Sequence, residues 1–441
     1  MNVAAVIAEY NPFHHGHAWQ YREIRRICGE DTAIINVMSG EFTQRGEPAI
    51  LTKFVRGELA IKMGSDLVLE LPLPFACSAA GSFAAGAVRL LAATGLRMNV
   101  FCGAEDSDRP DIFYNIAKIL IDEPKIFEDE LHLLLDSGNS FAVARSRAVI
   151  KFLSSLQPDW YLTALQEGFS FETFFKSSNN ILALEYAVAI LRYQLSKQLT
   201  LHFLPRQGQA EKDKSLTTAP GTWLSGTALR QAILSTSSTA ALLRILAGKM
   251  PAHVLGEILL HHREHSIPTC NSLSLPLFAR LRVATREELS CALGGNEGLL
   301  RAAQILLQKQ GRELTNWTDL AVEVTDKRRP TGRVNRAFCA FLLNIDQNEF
   351  NLQLKAGPSY IRPLAYSKRG RYLLRLLRQK ATLPLINNAS DFLEYLPTDA
   401  VRQQGELCLR AADLIAYSLQ RPGGTEFNEF ARAGKYLSGD S

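Results

Sequence analysis

Short apolar runs alternate with stretches of helical spacing through the first half of the chain. Val3–Ala8, residues 32–37, Leu67–Leu71, residues 99–102 and residues 199–204 read as strands, each a compact aliphatic run bounded by turn formers. Between them, residues 17–28, 53–63 and 78–93 place apolar side chains at i, i+3 and i+4, the spacing of a helix with one buried face. Strands and helices in alternation build a parallel sheet. The segment SAAGSFAAGAVRLLAA carries small residues along one side, which lets its backbone lie close to that sheet. Beyond about residue 235 the strand signal fades. STAALLRILAG, GLLRAAQILLQKQ, RVNRAFCAFLLNI and GRYLLRLLRQK all have amphipathic helical spacing. The expected fold class is α/β: a Rossmann-like parallel-sheet domain over 1–235, then a mostly α-helical domain over 236–441. The polar stretch 211–222 is expected as a loop, and the tail from Arg421, with Gly-Gly and little periodicity, as a mobile end.

Composition narrows the function classes. With 46% hydrophobic and 21% charged residues and no apolar run near the ~20 residues of a bilayer span, the chain is expected to be globular and not inserted in a membrane. The opening MNVAAVIAEYNPFHHGH lacks the basic start of a signal peptide, so the expected address is the cytoplasm. Seven scattered cysteines without a C-x-x-C pair suggest neither a disulfide framework nor a structural zinc site, and no metal ligands are assigned. The net charge of +5 is too small to establish a nucleic-acid partner, but its distribution is uneven. Residues 357–390 contain Arg362, Lys368, Arg369, Arg371, Arg375, Arg378 and Lys380 and no acid, and a second cluster holds Lys327, Arg328, Arg329, Arg333 and Arg336. Such a run is either a solvated face or a phosphate track, with Tyr360, Tyr366 and Tyr372 offering stacking surfaces in the second case.

The sharpest chemical feature is His14-His15-Gly16-His17, placed after the first strand where Asn11-Pro12 forces a turn and helical spacing resumes. H-x-G-H is expected by chance only about 0.01 times in a chain of this composition. A strand-to-helix turn with a glycine aims backbone N–H groups and the helix dipole at an anion, and two imidazoles three residues apart reach the same phosphates. The competing readings are a metal pair or two surface histidines; H-x-x-H without a nearby third ligand is a poor zinc site. Ser225-Gly226-Thr227-Ala228-Leu229-Arg230 opens a later helix, where Ser225 caps and Thr227 and Arg230 can grip phosphates. Alone it is equally a plain N-cap followed by a solvated arginine. Phe101-Cys102-Gly103-Ala104-Glu105 closes a strand at the carboxyl edge, where open α/β sheets bind ligands, and Gly103 would let a nucleotide lie against the backbone; a simple strand-ending turn reads the same. Lys53 and Arg56 follow the S-G-E-F-T-Q-R-G-E-P segment and share one helix face.

E-Y-N-P-F-H-x-G-H, G-x-F-x-Q-R-G-E-P-A, D-L-V-L-E-L-P, N-N-I-L-x-x-E-Y at 179–186 and S-x-T-x-x-R together resemble the bacterial tRNA(Met) cytidine acetate ligase family, within the H-x-G-H nucleotidyltransferases. The resemblance continues through Tyr360-Ile361-Arg362-Pro363-Leu364 and Lys368-Arg369-Gly370-Arg371 and so covers nearly the whole chain. It implies a nucleotidyltransferase fold for the N-terminal domain and a basic, tRNA-binding C-terminal region. It implies use of ATP with Mg²⁺ to activate acetate, and acetylation of N4 of the wobble cytidine in elongator tRNA(Met). Carried over by position, the ATP site comprises Ile7, Ala8, Glu9, Tyr10, Asn11, Pro12, Phe13, His14, His15, Gly16, His17, Ala18, Trp19, Gln20, Gly103, Asn179 or Asn180, and Arg206, to which Ser225, Thr227 and Arg230 add phosphate contacts. His14 and His17 would be catalytic, and Arg329, Arg333, Arg362, Lys368, Arg369 and Arg371 would meet tRNA. After Arg206 the family's Gly-Ala-x-Tyr-His-Asp-like stretch is replaced by Gln207-Gly208-Gln209-Ala210-Glu211-Lys212-Asp213, and Ser178 and Ala183 stand where Pro and Gly are usual.

The implied chemistry has two steps: acetate attacks the α-phosphate of ATP and expels pyrophosphate, then the cytidine amine attacks the acetyl-adenylate and expels AMP. No enzyme nucleophile is needed and no stable protein partner is expected. Two other readings compete. One is a small-molecule adenylyltransferase or carboxylate–amine ligase of the same superfamily, which usually lacks so long a basic extension. The other is an RNA-binding protein of reduced activity, suggested by the altered 207–213 segment.

Overall fold

The computed structural model describes residues 1–206, 223–295, 298–310, 313–394, 399–419 and 428–438. Its centre is a seven-stranded sheet of β1 (Val3–Ala8), β2 (Ala33–Ser39), β3 (Leu67–Leu71), β4 (Met98–Ala104), β5 (Leu199–Pro205), β6 (Pro363–Tyr366) and β7 (Lys435–Tyr436), ordered β5-β4-β1-β2-β3-β6-β7. The first five strands are parallel, in registers such as Val3 with Ala33 and Met98 with Leu199. Strand order reverses about β1, whose neighbours are β4 and β2, so the chain opens a crevice at their carboxyl ends. Near-continuous burial along β1 to β3 follows from covering both faces.

One face packs Ala5, Ile35, Val37 and Leu69 against the helices Ala80–Ala93 and Ser178–Arg192. Small residues permit close approach: a Cβ on Gly86 would come within 2.4 Å of the Phe75 ring. The opposite face packs Ala4, Val6, Ile34 and Val68 against the helix His15–Cys28, the helix Lys53–Lys62 and the helices that run from Gly226 to Arg263. Residues 110–174, between β4 and β5, add five helices that the sequence reading left unassigned. A separate helical core holds Leu277, Leu281, Leu300, Trp317, Leu320, Phe338 and Ile415.

The C-terminal half is not confined to helices, and it does not stand apart at residue 235. Leu229 and Ile233 share one cluster with Leu242, Leu246 and Val254, so the expected boundary runs through packed side chains. β6 joins the N-terminal sheet antiparallel to β3, Leu67 facing Tyr366, and the helix Lys368–Lys380 buries Leu373 and Leu377 in the first core. Four residues are too few for periodicity to reveal a strand whose partner lies about 300 positions away. The tail also returns: β7 pairs with β6, and Glu429 is 2% exposed. Residues 421–427 and the loop at 211–222 lie outside the described residues.

Four charged side chains lock that return. Lys53 Nζ lies 2.6 Å from Glu70 and 2.5 Å from Glu429, while Arg362 lies 3.3 Å from Glu70 and 2.7 Å from Glu429. All four are essentially inaccessible. Two cations and two carboxylates balance, which is what makes their burial tolerable.

Candidate active site

β1 ends at Ala8, and Tyr10 takes a left-handed conformation (φ 47°) ahead of the cis Asn11–Pro12 peptide, turning the chain into the helix His15–Cys28. His14 is the N-cap of that helix, so helical structure starts two residues before the expected position. Its Nδ1 accepts the Gly16 N–H at 3.1 Å, and its own N–H donates to His17 Nδ1 at 3.2 Å, a reciprocal cap. Each ring thereby commits Nδ1 as an acceptor, which places the proton of the neutral imidazole on Nε2. The two rings stack with centroids 3.8 Å apart. Burial, then the charges of Arg206, His15 and Arg230, pushes His14 down to about 3. Burial, then His14 and Arg206, holds His17 well below the usual imidazole range. At neutral pH the motif is a pair of uncharged N–H donors on a helix N-terminus.

The turn is fixed from beneath. The Tyr10 and Tyr21 hydroxyls lie 2.5 Å apart, and Asn36 Nδ2 donates to both, at 2.7 Å to Tyr21. Ser65 completes the network by donating to Asn36 Oδ1 at 2.8 Å. Ile50 donates its N–H to Asn11 Oδ1 at 2.9 Å, and the buried Arg56 donates to the carbonyls of Glu9 (2.6 Å), Leu51 (3.0 Å) and Gly40. Sequence spacing put Lys53 and Arg56 on one helix face. The structure gives them separate tasks, Arg56 holding the first turn and Lys53 the C-terminal segment.

A second helix start meets the first. Ser225 caps the helix Gly226–Ser235 by accepting from Ala228 at 3.1 Å, and a Cβ on Gly226 would lie 3.7 Å from His14. Arg230 donates to the Asn11 carbonyl at 2.7 Å and to Thr227 Oγ1 at 3.1 Å, tying the two turns together. At the end of β4, a Cβ on the exposed Gly103 would meet nothing within 4 Å, so this position is an open ledge. Asn180 is buried, and its Oδ1 accepts the Glu105 and Asp106 N–H groups at 2.9 and 3.2 Å, which fixes the loop behind that ledge. Asn179 donates to Glu105 at 2.8 Å and faces the cleft. Glu105 also pairs with Arg206 at 3.3 Å. Burial by itself would raise the Glu105 carboxyl, but hydrogen bonds from Ser177 and Asn179 and the Arg206 charge hold it below its ordinary value.

These groups line one cleft of about 430 Å³ at the carboxyl edge of the sheet. Of the expected residues, Ile7 to Pro12, His14, Gly16, His17, Trp19, Gln20, Gly103, Asn179, Arg206, Ser225, Thr227 and Arg230 line it. Phe13, His15, Ala18 and Asn180 do not. Phe13 instead supports the His17 ring from 5.2 Å. Sequence reasoning missed Ala80, Phe83 and Trp223, which read as ordinary apolar positions, and it quoted Leu182 and Tyr186 within the 179–186 motif without assigning them to the cleft. It noticed the segment of Gln44 and Arg45 without assigning them to the cleft they line. A Cβ on Gly46 (φ +77°) would lie 2.4 Å from the Arg336 nitrogen, so the helix Thr331–Leu342 seats directly on their turn.

The basic residues divide into three groups. Arg362 and Tyr360 are buried, the first between Glu70 and Glu429 and the second against Cys408 at 3.2 Å, which removes both from any RNA surface. Lys368, Arg371, Arg375 and Arg378 are exposed along one face of their helix. Arg371 stacks on Tyr436 at 4.2 Å, and Arg369 pairs with Asp31 at 3.2 Å. Because Arg369 also reaches the Glu30 carbonyl and Ser367 reaches Asp66, this helix lies at the amino-terminal edge of the sheet. Strands of six or seven residues put that edge about 20 Å from the histidines. In the Lys327–Arg336 cluster, Arg336 donates to the carbonyl of the cleft-lining Gln44 at 3.2 Å, Arg328 donates to the Asp136 carbonyl at 3.4 Å, and Arg329 pairs with Asp326.

The family model described as HIGH nucleotidyl transferase matches residues 1–426. The tRNA(Met) cytidine acetate ligase of Thermotoga maritima is 32% identical over 422 residues, 92% of this chain and 91% of that protein. The chain belongs to the tRNA(Met) cytidine acetate ligase family of HIGH nucleotidyl transferases. The Acetivibrio thermocellus member of the tRNA(Met) cytidine acetate ligase family is 30% identical over 436 residues, 97% of this chain and 99% of that one. Among solved structures, apo Thermotoga maritima TmcAL superposes with a TM-score of 0.84 at 29% identity, covering 99% of this chain and all of that one. The same protein bound with alpha-thio ATP gives 0.83 at 28% identity, with the same coverage. Among the described residues of this family member, no cluster of three His, Cys, Asp or Glu side chains could hold a metal ion, and no helix is long and apolar enough to cross a membrane.

Proposed function

We propose that this cleft joins acetate to ATP as acetyl-adenylate and passes the acetyl group to N4 of the wobble cytidine of elongator tRNA(Met). The observation that carries the reading is the stacked, reciprocally capped pair His14 and His17 at a helix N-terminus, with the start of a second helix and Arg230 against that turn. As an acetate oxygen attacks the α-phosphorus, charge builds on the phosphate oxygens and the leaving pyrophosphate. Nε2–H donors fixed by their backbone caps, two helix N-termini and the Arg230 fork meet that charge without reorganising. Arg206, at the edge beside the Gly103 ledge, is placed for the nucleotide end. The residues suit Mg²⁺ carried on the triphosphate itself, because the cleft supplies one carboxylate and no protein cage. When bound, Mg²⁺ neutralises phosphate charge.

For tRNA we assign the nearer docking surface to Lys327, Arg328 and Arg333 beside the cleft, and a more distant phosphate contact to Lys368, Arg371, Arg375 and Arg378. At 1.5 Å rise per residue that stripe is about 15 Å long, enough for two or three backbone phosphates. The reaction belongs in the cytoplasm, where tRNA and ATP meet. The test is incubation with bulk bacterial tRNA, ATP, Mg²⁺ and labelled acetate, followed by digestion and mass spectrometry. Labelled N4-acetylcytidine that requires ATP and is lost in His17→Ala supports the reading. ATP binding without label would favour an RNA-binding protein of reduced activity, and label in a small amine product instead would favour a small-molecule ligase.

A further inference from the structure

Glu9 is the one carboxylate among the described residues that line the cleft. Its Oε1 accepts the Gln44 backbone N–H at 2.6 Å, its carbonyl is held by Arg56 at 2.6 Å, and its second carboxylate oxygen enters no hydrogen bond among the described residues. Burial raises its affinity for a proton, and the Gln44 hydrogen bond and the charges of Arg230, Arg56 and Arg45 offset part of that rise. Across the same recess stands Tyr186, 2% exposed, whose hydroxyl makes no hydrogen bond within the described chain. The charge of Glu9 reaches that hydroxyl. Ile7, Phe83, Cys102 and Leu182 give the recess apolar walls.

Acyl transfer to an amine needs a proton acceptor. As the exocyclic nitrogen attacks the acetyl carbonyl, an N–C bond forms and the nitrogen becomes positive; a proton must leave it before or as the C–O bond to phosphate breaks and AMP departs with the electron pair. The histidines cannot take that proton, because each already carries one on Nε2 and has committed Nδ1 to a backbone N–H. Arginine is never a base at neutral pH. Burial pushes the Cys102 thiol and the Tyr186 hydroxyl up, so both stay protonated. Glu9 is the group that remains.

We propose that Glu9 is the general base of the second step, accepting the proton of the attacking amine, with the Tyr186 hydroxyl donating to the neighbouring ring nitrogen. An acceptor beside a donor matches the amino and N3 edge of cytosine, which presents a donor next to an acceptor. A uracil, with a carbonyl in place of the amine, would set oxygen against carboxylate.

The assignment rests on the two-step reading above, and the half-reactions separate the two. In the full-length protein, acetate-dependent exchange of labelled pyrophosphate into ATP reports the first step. Single-turnover transfer of labelled acetyl from the enzyme-bound adenylate to bulk bacterial tRNA reports the second. Glu9→Gln keeps the oxygen that accepts from Gln44 and loses the base. Its transfer rate is expected to fall 10²- to 10⁴-fold, the usual contribution of a general base, and the ratio of transfer to exchange by at least a hundredfold. Tyr186→Phe, which removes an unpartnered hydroxyl, is expected to lower transfer about tenfold at an unchanged melting temperature. Transfer by Glu9→Gln within threefold of wild type overturns the assignment, as does an equal fall of both half-reactions with a lowered melting temperature, which marks a structural role. A wild-type protein without acetate-dependent exchange overturns the two-step reading and this assignment together.

Discussion

Replacing Glu429 by leucine removes one of four buried charges and tests what docks the C-terminal segment on the sheet. In the wild type, Lys53 and Arg362 face Glu70 and Glu429 at 2.5 to 3.3 Å, all at most 2% exposed. Without Glu429, two cations share one carboxylate, and an uncompensated buried charge costs about 3–5 kcal/mol. A companion variant gives the argument its edge. Lys53→Met with Glu429→Leu removes one charge of each sign and leaves Arg362 paired with Glu70, so the double variant is expected to recover most of the loss and end within about 1–2 kcal/mol of wild type. The assay is the urea midpoint of each variant at unchanged slope, with limited proteolysis near residue 428 as a local readout. The sign with pH follows from Glu429 itself. Burial opposes ionisation, but Lys53 and Arg362 outweigh it and hold the carboxyl below its usual value. Its contribution is therefore present above the ordinary carboxylate range and lost as pH falls below it. A Glu429→Leu loss under 1 kcal/mol, or a double variant whose loss equals the sum of the singles, would refute the charge-balance account.

Because burial keeps His14 and His17 neutral, with His14 down at about 3, pyrophosphate exchange is expected to show no inflection near pH 6.5 from these rings; a limb there that vanishes in His17→Ala contradicts the assignment of neutral donors. The same depressed values mean that the unfolded chain binds protons the folded one refuses, so stability declines as pH falls below about 6.5, measurable as a falling melting temperature. Gly46→Ala places a Cβ 2.4 Å from the Arg336 nitrogen at a φ of +77°, and a loss of about 2 kcal/mol or more is expected by denaturation. Since Gln44 donates to Glu9 from the same turn, acetyl transfer should also weaken. Lys327→Glu with Arg328→Glu, in the surface assigned to the nearer tRNA contact, is expected to raise KM for tRNA and flatten its salt dependence by about two counterions, and Arg375→Glu with Arg378→Glu to do so less. Equal effects would place the RNA differently.

Local rules sufficed wherever an element is defined by its own residues. The β1 run, the Asn-Pro turn, and the glycine and histidines after it specify a strand, a turn and a capped helix within about 20 positions. The helix Lys368–Lys380 likewise declares its buried leucines and basic face by spacing alone. What depends on distant partners was not legible there. Arg362 and Lys368 stand six residues apart in one basic, acid-free stretch, yet the first is inaccessible and the second exposed. The difference is Glu70 and Glu429, the nearer of which is 67 positions away. Asn179 and Asn180 are the same residue type, and only the fold turns one toward the cleft and closes the other over the loop after β4. Glu9 and Tyr186 are about 180 positions apart and carry no joint motif; only the folded sheet and its covering helices bring them to one cleft. Short-range order followed from steric and hydrophobic periodicity, whereas burial, charge pairing and protonation state depend on what the folded chain brings within a few ångströms.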